Sequence, residues 1–305
     1  MANHPKKDTF TNYYLIMSYS EVLGEKNQVE ITNEDLFLVL KEIEKITTAK
    51  QNTKIILILN SIGGDIYTAY KIINVLREKC KEFDVIILEN ANSAATLMAL
   101  GSDKIIMGKQ SELGPLDLPM QEHPLFEGVI GPLSALDGIR PLSYLYNAVY
   151  VMALENLGLD IRTMTKLSRK DCVSLALNFS SEYVKPIVEK LDPWILNMCE
   201  RSLRIAEEYG TEFVYQYMFK EDPLRKKLAN KIAHELVWGF PAHNFSIGIN
   251  RLREMELNVR DCSEYPSWND LWDYFVNNLK NKKSKTIKLL DEKEYFKLIK
   301  KQNQK

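Results

Sequence analysis

Two stretches, KIILILNSIGGD (54–65) and DVIILENANSAATLMALG (84–101), decide the fold of this chain. Each begins with an unbroken apolar run rich in β-branched residues, which is typical of a strand buried on both faces of a sheet. Each run then meets a short turn and a helical pattern. The sequence therefore predicts strands over 54–60 and 84–90, each followed by a helix.

The neighbouring residues extend this alternation. Apolar side chains recur at helical spacing over 66–80, and DKIIMG (103–108) has the composition of a third strand. Strands and helices that alternate at these lengths predict parallel β-α-β units with right-handed crossovers. Thr32 and Asp35 have the spacing of a capping box, which indicates that a further helix begins there.

The domain organisation follows from the change of pattern along the chain. We predict an α/β core over 1–140, with an edge strand over 9–18, and a mainly helical continuation of the same domain over 141–265. Residues 266–305 are predicted to form a C-terminal helical or basic tail, because ten lysines stand against three acids over 280–305. That tail is either a solvated helix or a docking segment for a partner such as an ATPase.

Composition excludes several classes of protein. Lys and Arg total 40 against 41 Asp and Glu, so bulk charge predicts no affinity for nucleic acid. The four cysteines form no CxxC pair, which argues against a zinc ribbon or a disulfide framework and favours a reducing compartment. No run approaches the roughly 18 apolar residues of a membrane span, and the first residues lack the apolar core of a signal peptide. We expect a cytoplasmic protein with no membrane span, metal or cofactor.

The candidate site lies where two consecutive strands end. Ligands of parallel α/β sheets bind outside the carboxyl ends of the strands, and these ends carry Gly63-Gly64 and Ser93-Ala94. The glycine pair can turn its amides outward toward an oxyanion. Ser93 precedes a helix, whose N-terminus favours developing negative charge. The structural alternative is that Ser93 is an ordinary N-cap and the glycine pair an ordinary turn.

Motifs of other site types are absent from the sequence. There is no GxxxxGK[ST] or GxGxxG loop for phosphate, no HExxH, and no GxSxG elbow.

At these residues the sequence resembles a known family. ILNSIGGDIYTAYKIINVLR (58–77) is similar to the N-S-P-G-G segment of the Clp/crotonase superfamily, with Ile62 in place of the proline. NSAATLMALGSDKIIMGKQSELGPLD (92–117) resembles the K-S-A-A-T-L-I-A-L-G-A-D and S-E-L-G-P-I-D stretch of the serine dehydrogenase proteinase family. That family is related to signal peptide peptidase A and the Clp proteolytic subunit. Residues 190–209 and 238–259 resemble its distal segments.

The resemblance implies a Clp/crotonase-like α/β fold, with a parallel β-α-β spiral core, and a serine peptidase that acts on peptides or proteins. It also implies a homo-oligomer. Ser93 matches the nucleophile, and the amides of Gly63 and Ala94 match the oxyanion hole, with Gly64 beside them. His243 matches the distal histidine of the family.

The identity of the general base stays open at the level of sequence. A serine hydroxyl is a poor nucleophile without a neighbouring base. His243 is the first candidate, His123 and a lysine such as Lys109 are alternatives, and a site without any base is the fourth interpretation. Asp117 either orients a histidine or caps a turn.

Two other classes of function remain open. One is a catalytically silent oligomeric scaffold. The other is a crotonase-like acyl-CoA enzyme, in which paired amides polarise a thioester carbonyl. That enzyme needs acidic catalysts, and Glu89, Glu112 and Asp117 are the acids placed for the task.

Overall fold

The computed structural model describes residues 10–20, 30–117, 134–151, 158–189, 192–280 and 285–300. The chain divides into two compact units. Met1–Leu118 and Ile205–Lys305 form the first unit, and Pro119–Arg204 form the second. The C-terminal residues belong to the first unit because they return to the sheet that the N-terminal residues begin.

Among its described residues, the first unit is organised by one sheet of seven strands. The strands are β1 (Thr11–Ser18), β2 (Thr53–Ser61), β3 (Glu82–Ala91), β4 (Lys104–Met107), β5 (Glu112–Leu113), β6 (Val259–Asp261) and β7 (Thr286–Asp291). Their order is β6-β4-β3-β2-β1-β7, and β5 pairs with β3. Every pair is parallel except β1 with β7, which is antiparallel.

The helices of the first unit are α1 (Asn33–Ile43), α2 (Ile66–Lys79), α3 (Ala94–Leu100), α8 (Arg225–Trp238), α9 (Ile249–Glu254), α10 (Trp268–Tyr274) and α11 (Glu292–Lys300). Helices α2 and α3 follow β2 and β3 as the sequence predicted, and α1 begins at the predicted capping box. The apolar faces of α2 and α3 are buried, as are most residues of β2 and β3. The predicted β-α-β-α-β run is confirmed, and it brings the carboxyl ends of β2 and β3 side by side.

The C-terminal residues cover one face of the sheet. Tyr14 in β1 stacks on Tyr295 in α11 with 3.8 Å between ring centroids, and Trp268 and Phe275 join the same buried cluster. Part of the predicted tail therefore lies in the core rather than in solvent. The prediction that 9–18 forms an edge strand is wrong, because β1 lies between β2 and β7.

The second unit is helical in its described residues. It contains α4 (Ala135–Val151), α5 (Gly158–Met164), α6 (Arg169–Val188) and the first part of α7 (Pro193–Phe213). A Cβ on Gly138 in α4 would lie 2.9 Å from the Cys199 Sγ in α7, so these two helices approach closely. Several apolar side chains of α6 are exposed, as described below.

Candidate active site

Ser93 occupies the turn between β3 and α3 in a conformation that serine rarely adopts. Its φ is 51° and its ψ is −115°, so it is one of two described non-glycine residues with positive φ. Such a residue costs about 1–3 kcal/mol of strain and persists only where the surroundings fix it. Ser93 is 2% exposed and its side chain makes no hydrogen bond that caps α3. Ser93 is therefore not an ordinary N-cap.

The Ser93 hydroxyl points toward Asp117. Its Oγ donates to the Asp117 carbonyl oxygen at 2.9 Å. Thr96, in the first turn of α3, donates from its hydroxyl to the carbonyls of Ala91 (2.7 Å) and Gly114 (2.8 Å). These bonds tie the start of α3 to the segment that carries Asp117.

Gly63 lies directly against Ser93. Its φ is 115°, and a Cβ at this position would lie 2.7 Å from the Asn92 carbonyl oxygen and 3.0 Å from the Ser93 Cβ. Only glycine fits that approach without displacement. The Gly63 amide donates to the Ser61 hydroxyl oxygen at 3.1 Å. A substrate oxygen that accepts from this amide must therefore share it with the Ser61 hydroxyl or displace that hydroxyl.

The other two predicted oxyanion residues occupy different surroundings. Ala94 is the buried first residue of α3, where the amide has no acceptor within the helix. Gly64 has a φ of 138°, and its Cα faces the backbone of Ile31 rather than Ser93. The structure thus brings Gly63 and Ala94 beside Ser93 and uses Gly64 to receive Ile31.

The carboxylate of Asp117 faces the imidazole of His243. Asp117 Oδ2 lies 3.8 Å from His243 Nδ1, and the exposed fraction is 0% for the Asp117 side chain and 22% for that of His243. One residue, Asp117, therefore contacts Ser93 through its backbone and faces His243 through its carboxylate. Among the described residues, the Ser93 hydroxyl donates to this carbonyl and not to the histidine ring.

Two long-range backbone contacts hold this arrangement. Leu113 and Ile247 exchange hydrogen bonds of 3.1 and 2.8 Å, and the Leu116 amide donates to the Leu236 carbonyl at 2.9 Å. The segment before Asp117 is thereby fixed to the end of α8 and to the loop that carries His243.

No described contact places the other candidate bases and acids next to Ser93. Lys109 is exposed in the turn after β4, and His123 lies outside the described residues. Glu89 forms an ion pair with Lys280 at 2.6 Å. Glu112 accepts a hydrogen bond from Ser246.

Sequence reasoning missed Ser61 and Ile31, which contact the Gly63-Gly64 turn. Ser61 is the last residue of β2, and its place beside the glycines in the N-S-x-G-G pattern was the available signal. Ile31 had no such signal, because it reaches Gly64 through the fold and not through sequence proximity.

The described ranges contain neither a metal cluster nor a membrane-spanning helix. They contain no cluster of three or more His, Cys, Asp or Glu side chains able to hold a metal ion. They also contain no helix with the length and apolar character needed to cross a membrane.

Comparison with known proteins supports the resemblance. The family model described as "ClpP-like SDH-type serine proteinase" matches residues 27–129. That range carries β2, β3 and both strand-to-helix turns of the site. The predicted family resemblance is confirmed for this segment, and so is the predicted ClpP-like α/β fold. The matching family is one of serine proteinases.

Two curated relatives come from Methanocaldococcus jannaschii. The uncharacterized protein MJ0137 is 36% identical over 94 residues, which is 31% of this chain and 32% of the relative. The uncharacterized protein MJ1495 is 32% identical over 92 residues, or 29% of this chain and 32% of the relative. The match thus spans about a third of the length of each relative.

A solved structure, that of a serine-to-alanine mutant of the 1510-N membrane-bound stomatin-specific protease, also aligns with this chain. It has a TM-score of 0.29 and 15% identity, and the alignment covers 47% of this chain and 63% of that one.

Proposed function

We propose that this chain is a serine peptidase of the serine dehydrogenase proteinase type, with Ser93 as nucleophile. The observation that carries the proposal is the strained φ of Ser93, held between Gly63 on one side and Asp117 on the other. Strain of this kind at a non-glycine residue is found where the position of a side chain matters to function. The match of residues 27–129 to a serine proteinase family supports the same interpretation.

The proposed reaction uses His243 as general base. A rotation about χ1 turns the Ser93 Oγ from the Asp117 carbonyl to the imidazole, which removes the hydroxyl proton as Oγ attacks the scissile carbonyl. Hydrogen bonds in catalytic sites often form only once substrate is bound, so the bond to Asp117 is compatible with this step. The Asp117 carboxylate faces Nδ1 and stabilises the imidazolium that forms.

The oxyanion of the tetrahedral intermediate is assigned to the backbone amides beside Ser93. Gly63 and Ala94 supply the two amides proposed for this task, and Gly64 orients the turn. When the intermediate collapses, the imidazolium returns its proton to the leaving amine, and the acyl group stays on Ser93. Attack by water then releases the acid and restores the hydroxyl. Neither the acylation step nor the hydrolysis step requires a metal or a cofactor.

The crotonase-like alternative receives less support from the acids. Glu89 is paired with Lys280, and Glu112 with Ser246. Asp117 is therefore the acid that both alternatives would use, and in this structure it faces a histidine.

Hydrolysis of a fluorogenic peptide or an activated ester tests the proposal against the silent scaffold. The parent chain should turn over substrate, and Ser93→Ala should abolish turnover while the thermal unfolding midpoint stays nearly unchanged. A parent chain that hydrolyses neither substrate favours the scaffold. Activity that survives in Ser93→Ala assigns the nucleophile to another residue.

We further propose that the chain assembles as a homo-oligomer in the cytoplasm. Leu175, Phe179 and Tyr183 recur every four residues along α6 and are 48%, 51% and 56% exposed. A second copy of the chain is the proposed cover for this stripe. Cys80, Cys172, Cys199 and Cys262 form no disulfide, which suits a reducing compartment. Light scattering should give a multiple of 35.3 kDa, and a stable monomer at micromolar concentration would contradict the assembly.

A further inference from the structure

We propose that Asp35 and Lys285 are positioning residues of the Ser93 site. They hold Ile31 against the Gly63–Gly64 turn and thereby fix the direction of the Gly63 amide, one of the two amides proposed to face the oxyanion. The inference rests on the proposed function, since it assigns a task within the same site.

Ile31 is bonded to both sides of the glycine turn. Its amide donates to the Gly63 carbonyl at 2.8 Å, and its carbonyl accepts from the Asp65 amide at 2.8 Å. A Cβ on Gly64 would lie 2.4 Å from both the nitrogen and the oxygen of Ile31. The turn can therefore hold its present backbone angles only while Ile31 stays in place.

A single peptide group connects this contact to Asp35. The carbonyl of Ile31 and the amide of Thr32 belong to one planar peptide unit. The carbonyl end accepts from Asp65, and the amide end donates to Asp35 Oδ2 at 2.8 Å. Because the unit is rigid, the Asp35 carboxylate sets the direction of the bond to Asp65.

Asp35 is itself held by buried partners. Its side chain is fully buried, and it accepts from the Tyr19 hydroxyl at 3.1 Å. Burial and the neighbouring Asp35 charge raise the pKa of Tyr19, so that its hydroxyl remains a donor. Thr32, Asp35 and Tyr19 together order the residues just before α1.

Lys285 supplies the opposite charge from the far end of the chain. Its Nζ lies 2.6 Å from Asp35 Oδ1 and 3.4 Å from the Thr32 hydroxyl oxygen. Removing one partner of a buried ion pair leaves an uncompensated charge, which favours local opening. Without the lysine, Asp35 should hold the Thr32 amide less firmly, and the Ile31 peptide group should then hold the glycine turn less firmly.

The effect should appear in the chemical step and not in substrate affinity. Ground-state binding of a peptide depends on the whole cleft, whereas the Gly63 amide stabilises charge that develops in the transition state. Misdirecting this amide lowers kcat and leaves KM nearly constant.

Three variants separate positioning from general stability. Lys285→Met removes the charge, Lys285→Arg restores it, and Lys54→Met removes a lysine that pairs with a buried carboxylate elsewhere.

Lys54 pairs with the buried Asp84 at 2.7 Å and with Glu82 at 2.9 Å, near the start of β2 and at the opposite end of that strand from Gly63. Lys104 lies 3.5 Å from the same Asp84 carboxylate, so this variant tests the loss of a buried contact without leaving Asp84 uncompensated.

Ester hydrolysis, thermal unfolding and amide hydrogen exchange are measured on the full chain of each variant. Lys285→Met should lower kcat about 10- to 100-fold with KM within about twofold, as expected for misplaced catalytic groups. Exchange of the Ile31 and Asp65 amides should become faster. Lys285→Arg should recover most of kcat, and Lys54→Met should lower the unfolding midpoint while leaving kcat within about twofold.

The exchange measurement keeps this inference separate from the proposed function. If the parent chain hydrolyses nothing, the peptidase assignment fails, and amide exchange alone decides whether Lys285 orders the turn. Unchanged protection of Ile31 and Asp65 in Lys285→Met overturns the inference, whatever the activity. Equal losses of kcat in Lys285→Met and Lys54→Met also overturn it, because they show a stability effect only.

Discussion

The turns after β2 and β3 both connect a parallel strand to the helix that follows it, but they are built from different residues. After β2, two glycines take the positive φ values, and Asp65 caps α2 by accepting from the Thr68 amide at 2.6 Å. This turn uses the residues best suited to its backbone.

After β3, the same strand-to-helix turn is built without those residues. Ser93 takes φ 51° although it is not glycine, and its hydroxyl bonds to Asp117 instead of capping α3. The second turn therefore has neither a relaxed backbone nor a side-chain helix cap. What it gains is a serine hydroxyl fixed next to Gly63 and in contact with the residue that faces His243.

Filling the space between the two turns should have the largest combined effect on turnover and stability. Gly63→Ala places a methyl group against Ser93 and the Asn92 carbonyl and forces a positive φ on alanine. We expect kcat to fall about 10²- to 10³-fold, as on loss of an oxyanion donor, and stability to fall by about 1–3 kcal/mol. Gly248→Ala is the control, since a Cβ there meets nothing within 4 Å. Equal effects of the two substitutions on ester turnover would contradict the close approach.

His243→Ala tests the partner that only the second turn possesses. Turnover should fall about 10²- to 10⁴-fold with KM little changed, because a general base acts in the chemical step. His234→Ala is the matched control, because that side chain is 63% exposed and pairs with Glu207. Steady-state kinetics that show the same small loss for both histidines would remove His243 from the mechanism.

The strain at the second turn is measurable without any activity assay. Ser93→Gly should unfold at higher denaturant concentration than Ser93→Ala, because glycine tolerates φ 51° and alanine does not. The difference should be about 1–3 kcal/mol in the free energy of unfolding, reduced by the greater entropy of glycine in the unfolded chain. A more stable Ser93→Ala would contradict the backbone conformation described.

The cap at the first turn should give the smallest effect. Asp65→Ala removes the bond to the Thr68 amide and should cost about 1 kcal/mol in urea unfolding. Ser93→Ala removes the hydrogen bond to the Asp117 carbonyl but no helix cap. Asp65→Ala should therefore speed hydrogen exchange of the Thr68 amide, whereas Ser93→Ala should leave exchange of the first amides of α3 nearly unchanged. If Asp65→Ala leaves exchange of the Thr68 amide unchanged, the contrast between the turns is wrong.

The local pattern was sufficient to predict the centre of the fold. The apolar runs of β2 and β3 and the helical spacing of α2 depend on neighbours in sequence, and each was predicted to within a few residues. The same pattern placed Ser93 and Gly63 at adjacent strand ends, which the structure shows in contact.

Contacts between distant residues could not be read from that pattern. The pairing of β7 with β1 and the stacking of Tyr14 on Tyr295 join the two ends of the chain. In sequence, a strand that pairs with a neighbour on both sides has the same pattern as an apolar strand at the edge of a sheet. The contact of Ile31 with Gly64 and the positive φ of Ser93 depend on such packing, so no sequence rule revealed them.

The most direct measurement of the central claim is the covalent labelling of the unmodified chain with a fluorophosphonate probe, followed by peptide mapping. An activated serine displaces fluoride from the probe and keeps the phosphonyl group on its Oγ. We predict a single adduct on Ser93, formed far more slowly in His243→Ala and absent from Ser93→Ala. An unlabelled parent chain, or an adduct on a different serine, would contradict the account.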